Sequence, residues 1–167
     1  MYIENFYKGK NMRFSENNII KYIQSFETNT IIYYMNLISG FIYNKIFLLM
    51  IIIFYLLKYL TNKQMILLLL VHPIISLLKN IIKRNRPYIN DTDIKLYDNN
   101  IIDKYSFPSG HTTFCFLLYF ILYDNKVINI KYIILPILVG ISRIMLGAHY
   151  ITDVICGIIL ARILASL

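Results

Sequence analysis

Charged side chains are scarce in this sequence. They make up 16% of its 167 residues, against about a quarter in a typical soluble domain. Hydrophobic residues reach 57% and the mean hydropathy is +0.56, so an ordinary water-solvated globule is excluded. Acidic residues are the rarer sign, 9 against 17 Lys and Arg, which leaves a net charge of +8. That excess reads as a basic rim facing anionic headgroups. The basic residues are scattered around apolar segments and form no stripe or base-reading motif, which argues against nucleic acid as a partner. Cysteine is nearly absent. Cys115 and Cys156 both fall in apolar stretches, and neither has a His at metal-ligand spacing, so they read as small packing residues rather than a disulfide or metal site. Met1 to Asn18 mixes polar and aromatic residues without an apolar core and so does not read as a secretory signal. Any targeting information is therefore expected in the membrane segments. Internal repeats and low-complexity linkers are also missing, and the length suits one domain.

What is present is a series of apolar runs. They extend from about Ile46 to Leu60, Met65 to Ile82, Thr112 to Tyr123, Val127 to Leu146 and Tyr150 to Leu167. Lipid offers the backbone no water to bond, so such runs must be helical. Several are short for a bilayer, which suits a site sunk below the membrane surface or a locally thinned bilayer. Residues 1–17 read as a poorly ordered polar segment. Residues 18–40 alternate Ile19, Ile20, Ile23 and Phe26 with Lys21, Gln24 and Glu27. That pattern predicts one or two amphipathic helices lying in the interface, or a poor first span. The expected organisation is an N-terminal segment, 1–43, followed by a transmembrane catalytic core, 44–167. The expected fold is an all-α polytopic bundle of about five to six spans.

Polar residues beside membrane helices are costly and so are functional candidates. Three clusters stand out: Lys79 to Arg86-Pro87 at the end of the second apolar run, Pro108-Ser109-Gly110-His111 opening the third, and Ser142-Arg143, His149 and Asp153 across the join of the fourth and fifth. If each run crosses the bilayer once, crossing parity puts all three clusters on one face. Lys58, Lys63, Lys126, Lys131 and Arg162 then lie on or near the other, while Lys8, Lys10, Arg13, Lys83, Arg84, Lys95 and Lys104 lie on the site side. Three converging cations, Lys79, Arg86 and Arg143, call for an anion, and the planar Arg fork matches phosphate. Ser109 and Gly110 at a helix N-terminus add free backbone N–H groups. His149 and Asp153 at i,i+4 share a face if helical, so the carboxylate can orient the imidazole and leave its other nitrogen as nucleophile. His111 is placed to act as general acid. No metal or cofactor is required by this set.

The three clusters resemble the signature motifs of the type 2 phosphatidic acid phosphatase (PAP2) superfamily, K-x6-R-P, P-S-G-H and S-R-x5-H-x3-D. Every signature position is filled, and the match covers residues 65–167. The resemblance implies a helical core like that of the vanadium haloperoxidases and a phosphohistidine formed at His149. It further implies leaving-group protonation by His111, phosphate contacts from Lys79, Arg86, Ser109, Gly110 and Arg143, and Asp153 behind His149. Ser142 belongs to the motif as a packing or supporting residue. The implied function is a metal-independent phosphatase acting on a membrane lipid phosphate or diphosphate of the phosphatidic acid, phosphatidylglycerol phosphate or polyprenyl diphosphate type. The alternatives are a lipid-linked phosphotransferase using the same phosphoenzyme, or an inactive lipid-phosphate-binding protein. An active site facing the lumen or periplasm is implied as well. The partners expected are the bilayer and its lipid substrate.

Two further groups fall outside the motifs. His72 and Ser76 share a helix face with Lys79 and read as packing residues near the Pro73 kink, or as part of a lipid access route. Asp91 and Asp93 read as solvated loop carboxylates rather than a Mg²⁺ pair.

Overall fold

The computed structural model describes residues 15–41, 45–98, 101 and 103–167. Its elements are α1 (Glu16–Gln24), α2 (Asn29–Phe41), α3 (Lys45–Leu56), α4 (Asn62–Ile82), the short α5 (Pro87–Asn90), α6 (Gly110–Asp124), α7 (Ile134–Met145) and α8 (Ile151–Ala165). A 3-10 turn, Ile130–Ile133, feeds α7, and Asn85 and Tyr105 form an isolated bridge. Among the described residues there is no strand, in agreement with the all-α expectation.

Helix α4 shows why the sequence folds this way. Thr61 opens it: the Thr61 hydroxyl accepts from the Gln64 N–H at 3.2 Å, and the Gln64 side chain accepts from the Thr61 N–H at 2.9 Å. This capping box satisfies N–H groups that no helical carbonyl can reach. Leu68, Val71, Ile75 and Lys79 recur at helical spacing and are buried. Ile66, Leu69, Leu70, Leu77 and Ile81 lie exposed. A helix apolar on its uncovered side as well as its covered one needs an apolar environment on both sides, which a bilayer supplies. Among the described residues α4 alone, with 21 residues and a hydropathy of 2.1, is long and apolar enough to cross a membrane. At ~1.5 Å per residue it covers about 32 Å, the thickness of a hydrocarbon core. The shorter helices carry the same outward surface, for example Leu49 and Leu56 on α3, Leu135 and Ile141 on α7, and Ile159 and Ile163 on α8.

Helix α6 is the centre of the bundle, with Phe116, Leu117, Ile121 and Leu122 buried against Val71, Ile75, Val139 and Ala161 of its neighbours. It packs most closely on α8. At Gly157 a Cβ would stand 2.9 Å from Thr113 Oγ1 and 3.1 Å from the Ser109 carbonyl, so only glycine permits this approach without displacement. The Ser109 N–H donates to the Asp153 carbonyl at 3.1 Å, which ties the start of α6 to the start of α8.

Of the segment read as a polar tail, residues 15–17 are described and begin a helix. Ser15 accepts from the Asn18 N–H and caps α1, so Glu16 and Asn17 belong to a helix rather than to a polar tail. Residues 1–14, including Lys8, Lys10 and Arg13, lie outside the described residues. The segment 18–40 forms parts of two helices, of which α2 packs on α7. The run Val127 to Leu146 begins as a turn and becomes α-helical only at Ile134.

The two ends of the bundle differ in character. At one end Gln64 bonds Asn125, Asn125 bonds the Tyr59 carbonyl and Arg162 pairs with Asp124, joining the start of α4 to the ends of α6 and α8. The other end gathers the end of α4, the start of α6, the end of α7 and the start of α8. It is covered by α1, α5 and the loop that follows α5.

Candidate functional site

A cavity of about 810 Å³ opens at this second end, and Lys79, Arg86, Gly110, His111, Arg143 and His149 line it. The three sequence clusters therefore meet in one place. Lys79 sits on the last inward turn of α4. Arg86 follows the left-handed cap at Lys83, φ 52°, which stops the helix before Pro87. Arg143 is on the last turn of α7. Lys79, Arg86 and Arg143 are all nearly inaccessible, at 7%, 2% and 1% exposure. Cations buried to this degree demand anionic partners.

Two loop carboxylates meet that demand. Asp103 pairs with Lys79 and lies 3.6 Å from Arg86 Nη2, while Arg86 Nε donates to the Asp103 carbonyl at 3.0 Å. Burial alone would raise the Asp103 pKa, but the hydrogen bond and charge of Lys79, then the charge of Arg86, hold its carboxyl below the ordinary range. Asp98 lies 2.6 Å from Arg143 Nη2, and Arg143 Nη1 donates to the Ser39 hydroxyl of α2.

His149 is buried at 2% exposure. Its Nε2 is 3.5 Å from Arg86 Nη1, which also donates to the Ala148 carbonyl at 2.8 Å. Its Nδ1 faces the other way, 3.6 Å from Asp153 Oδ2. One expectation is corrected here. His149 and Asp153 were expected to share a helix face, but His149 precedes α8, in the turn after Gly147. What brings the carboxylate to it is a cap: Asp153 Oδ2 accepts from the Tyr150 N–H at 2.9 Å and folds back over the start of α8. Gly147 makes the turn possible. Its φ is +71°, and a Cβ would lie 2.1 Å from the Lys95 carbonyl.

The second motif is only partly at the cavity. Gly110 and His111 line it. Ser109 is fully buried and holds the N-cap position of α6 without a side-chain cap bond, its hydroxyl instead sharing a hydrogen bond with Thr112 at 2.9 Å. Ser142 is also buried and donates to the Val139 carbonyl within α7 at 2.7 Å, a packing role. His72 and Ser76 are exposed and border the cavity, with the His72 ring 5.2 Å from that of Phe114, so the reading of both as buried packing residues is corrected. Asp91 and Asp93 both pair with Lys21 of α1, at 2.9 and 2.8 Å. Among the described residues no group of three His, Cys, Asp or Glu is placed to hold a metal.

Several site residues carried no sequence signal. Ser39 and Asn36 come from α2, and Asp98 and Asp103 from a loop without a motif. Gln24 fixes that loop by donating to the Lys95 and Met145 carbonyls and accepting from the Lys95 N–H. Nothing in a spacing pattern points to these contacts, which depend on how α1 and α2 fold back over the motif helices.

Comparison with known proteins gives a family and a fold. The sequence model of the PAP2 superfamily fits residues 46–167. The chain is similar in structure to the transmembrane PAP2-type phosphatidylglycerolphosphate phosphatase of Bacillus subtilis, with a TM-score of 0.74 and 24% identity over 90% of this chain and 81% of that one. It is also similar to Aquifex aeolicus LpxE, with a TM-score of 0.72 and 18% identity over 89% of this chain and 91% of that one. In sequence, an uncharacterised protein of Methanocaldococcus jannaschii is 42% identical over 60 residues, which span 36% of this chain and 25% of that protein.

Proposed function

The chain belongs to the PAP2 superfamily, and on that premise we propose that it is an integral-membrane lipid phosphate phosphatase working through a phosphohistidine. The observation that carries this reading is the two-sided setting of His149: Nε2 beside Arg86 in a cavity ringed by Lys79 and Arg143, Nδ1 toward Asp153.

In this reading Lys79, Arg86, Arg143 and the N–H groups at the start of α6 bind the phosphate oxygens. They stabilise the charge that builds up as the group transfers. His149 Nε2 forms the P–N bond while the P–O bond to the leaving group breaks. His111 gives its proton to the departing oxygen. Water then attacks phosphorus, the P–N bond breaks, and His111 takes the water's proton. Asp153 favours the imidazolium state of His149. Ser109 supports the phosphate through the backbone turn it anchors rather than through its hydroxyl.

The lipid character of the substrate rests on the apolar outer surfaces of α2 and α4, the helices that flank the cavity with Asn36, Ser39, His72 and Ser76. Phosphatidic acid, phosphatidylglycerol phosphate and a polyprenyl diphosphate are the substrates to compare. The structural likeness to the phosphatidylglycerolphosphate phosphatase of Bacillus subtilis puts phosphatidylglycerol phosphate first. The test is phosphate release from these lipids by detergent-purified protein with EDTA present. Activity should persist in chelator and fall by at least about a thousandfold in His149→Ala. Loss of activity in chelator, or its survival in the variant, defeats the proposal.

A further inference from the structure

Asp153 has two carboxylate oxygens, and only one faces His149. The other, Oδ1, accepts from Arg84 Nη1 at 2.6 Å. Arg84 lies between Lys79 and Arg86 in sequence but does not line the cavity. Its guanidinium makes its bonds away from the cavity. Nη1 also donates to Thr152 Oγ1 at 2.6 Å, Nη2 donates to Glu16 Oε2 at 2.6 Å, and the plane lies 3.9 Å over the Tyr150 ring. Glu16 closes the loop, since its Oε1 accepts from both the N–H and the hydroxyl of Thr152, at 2.9 and 2.8 Å. A carboxylate at the N-terminus of α8 is in the favourable position for that helix dipole.

We infer that Arg84 is a positioning residue for the phosphotransfer step, and that Glu16 of α1 holds it in place. This rests on the proposed phosphohistidine reading and extends it beyond the motif residues. Asp153 is completely inaccessible to solvent. A buried carboxylate without a cation is strongly disfavoured and escapes by taking a proton or turning away. Either response would remove the carboxylate charge that faces His149 Nδ1 at 3.6 Å. Arg84 prevents both, because it neutralises Asp153 and fixes the rotation of the carboxylate through Oδ1 while Tyr150 N–H fixes Oδ2. The fork geometry matters: one planar group must reach Asp153, Thr152 and Glu16 together, which an ammonium cannot do. Glu16 belongs to α1, whose Ile20 is fully buried in a cluster with Tyr150 and Val154. The N-terminal helix is thereby linked to the nucleophile: Arg84 bonds both Glu16 and Asp153, and Asp153 faces His149 Nδ1 at 3.6 Å.

The experiment measures kcat and KM for phosphatidic acid in mixed micelles, with thermal melting as the check on folding. Arg84→Gln is expected to lower kcat by roughly ten- to a hundredfold, the range for residues that orient a reacting group from behind, with KM held within about twofold. Arg84→Lys should restore part of kcat, and Glu16→Gln should lose less than Arg84→Gln. Lys21→Gln, which removes the two ion pairs of α1 with Asp91 and Asp93, should leave kcat within about twofold of wild type. If Arg84→Gln does not fold, the Arg84→Lys and Glu16→Gln pair still decides, since a folded protein with unchanged kcat in both overturns the inference. So does an Arg84→Gln effect confined to KM, which would make Arg84 a phosphate ligand, or a Lys21→Gln loss equal to that of Glu16→Gln, which would reduce Glu16 to general docking. The underlying reading is judged separately: a wild type inactive on all three lipids, or an active His149→Ala, sinks that reading whatever Arg84 does.

Discussion

At the residue scale the site depends on a few positions that no other side chain can fill, and Gly147 is the sharpest of them. It sits between Arg143 and His149, at φ +71°, directly under the Lys95 carbonyl. A left-handed conformation costs a residue with a Cβ about 1–2 kcal/mol. Here a Cβ would also stand 2.1 Å from a backbone oxygen, so the loop or the turn must move. Gly147→Ala is therefore expected to destabilise by more than the conformational cost alone, about 2–4 kcal/mol, and to displace His149 from Arg86. Thermal melting in detergent and phosphate release should both fall; an unchanged melting temperature with full activity contradicts the reading of this turn. Residues of this kind also show what was legible beforehand. Lys79, Arg86, His111, Arg143, His149 and Asp153 could be named from types and spacing because their chemistry demands those types. Arg84 could be counted as a cation on the site side, but its orientation could not be read, since a guanidinium facing the cavity and one facing away from it leave the same letter in the sequence. Ser109 shows the converse: the motif marks its position, while its hydroxyl turns to Thr112.

At the scale of elements, α2 lines the cavity beside the motif helices, and α1 fixes the loop that covers that end of the bundle. Their amphipathic pattern predicted helices but not their docking, because the contacts that dock them are polar and distant in sequence: Glu16 with Arg84, Lys21 with Asp91 and Asp93, Gln24 with Lys95 and Met145, Asn36 with Tyr97. One of these gives a pH signature. The hydrogen bond from Lys21 holds the Asp91 carboxyl below its usual range. A carboxyl depressed on folding stabilises fully above its unfolded pKa, about 3.9, and that contribution is lost as the pH falls through the lower folded value. Both partners are partly exposed, so the contribution is small and screened by salt. Docking of α1 should thus be flat from about pH 8 to pH 5 and loosen only below about pH 4. An environment-sensitive fluorophore at Tyr22→Cys, on the half-exposed side of α1, reports this. The acid transition should weaken in Asp91→Asn. A transition centred near pH 6 to 7, unaltered by that substitution, would place the control elsewhere.

For the whole molecule, the strongest expectation came from crossing parity, and it concerns sidedness. The ends of α4 and α7 and the starts of α6 and α8 do share one end of the bundle, around the cavity, while Asp124, Asn125 and Arg162 gather at the other. Parity was legible because it needs only the number and order of apolar runs. The span lengths were not, since helix boundaries such as the late start of α7 at Ile134 depend on the turn between Asp124 and Asn129. If the short helices cross a thinned bilayer with α4, the loop holding Lys104 and the turn holding Lys126 must lie in different aqueous compartments. Both side chains are exposed, so each accepts a cysteine without disturbing the core, in a background in which Cys115 and Cys156 have been replaced. A membrane-impermeant maleimide applied to sealed vesicles of one orientation should label only one of Lys104→Cys and Lys126→Cys. The other should react only after permeabilisation. Labelling of both from the same side would mean that an even number of crossings separates them, which a single passage of α6 between the two loops forbids. The bundle would then have to lie along the membrane rather than through it, with the cavity opening toward the interface and α4 as its one true span. Because the same experiment on inside-out vesicles reverses the pattern, it also assigns the compartment in which the phosphate is released.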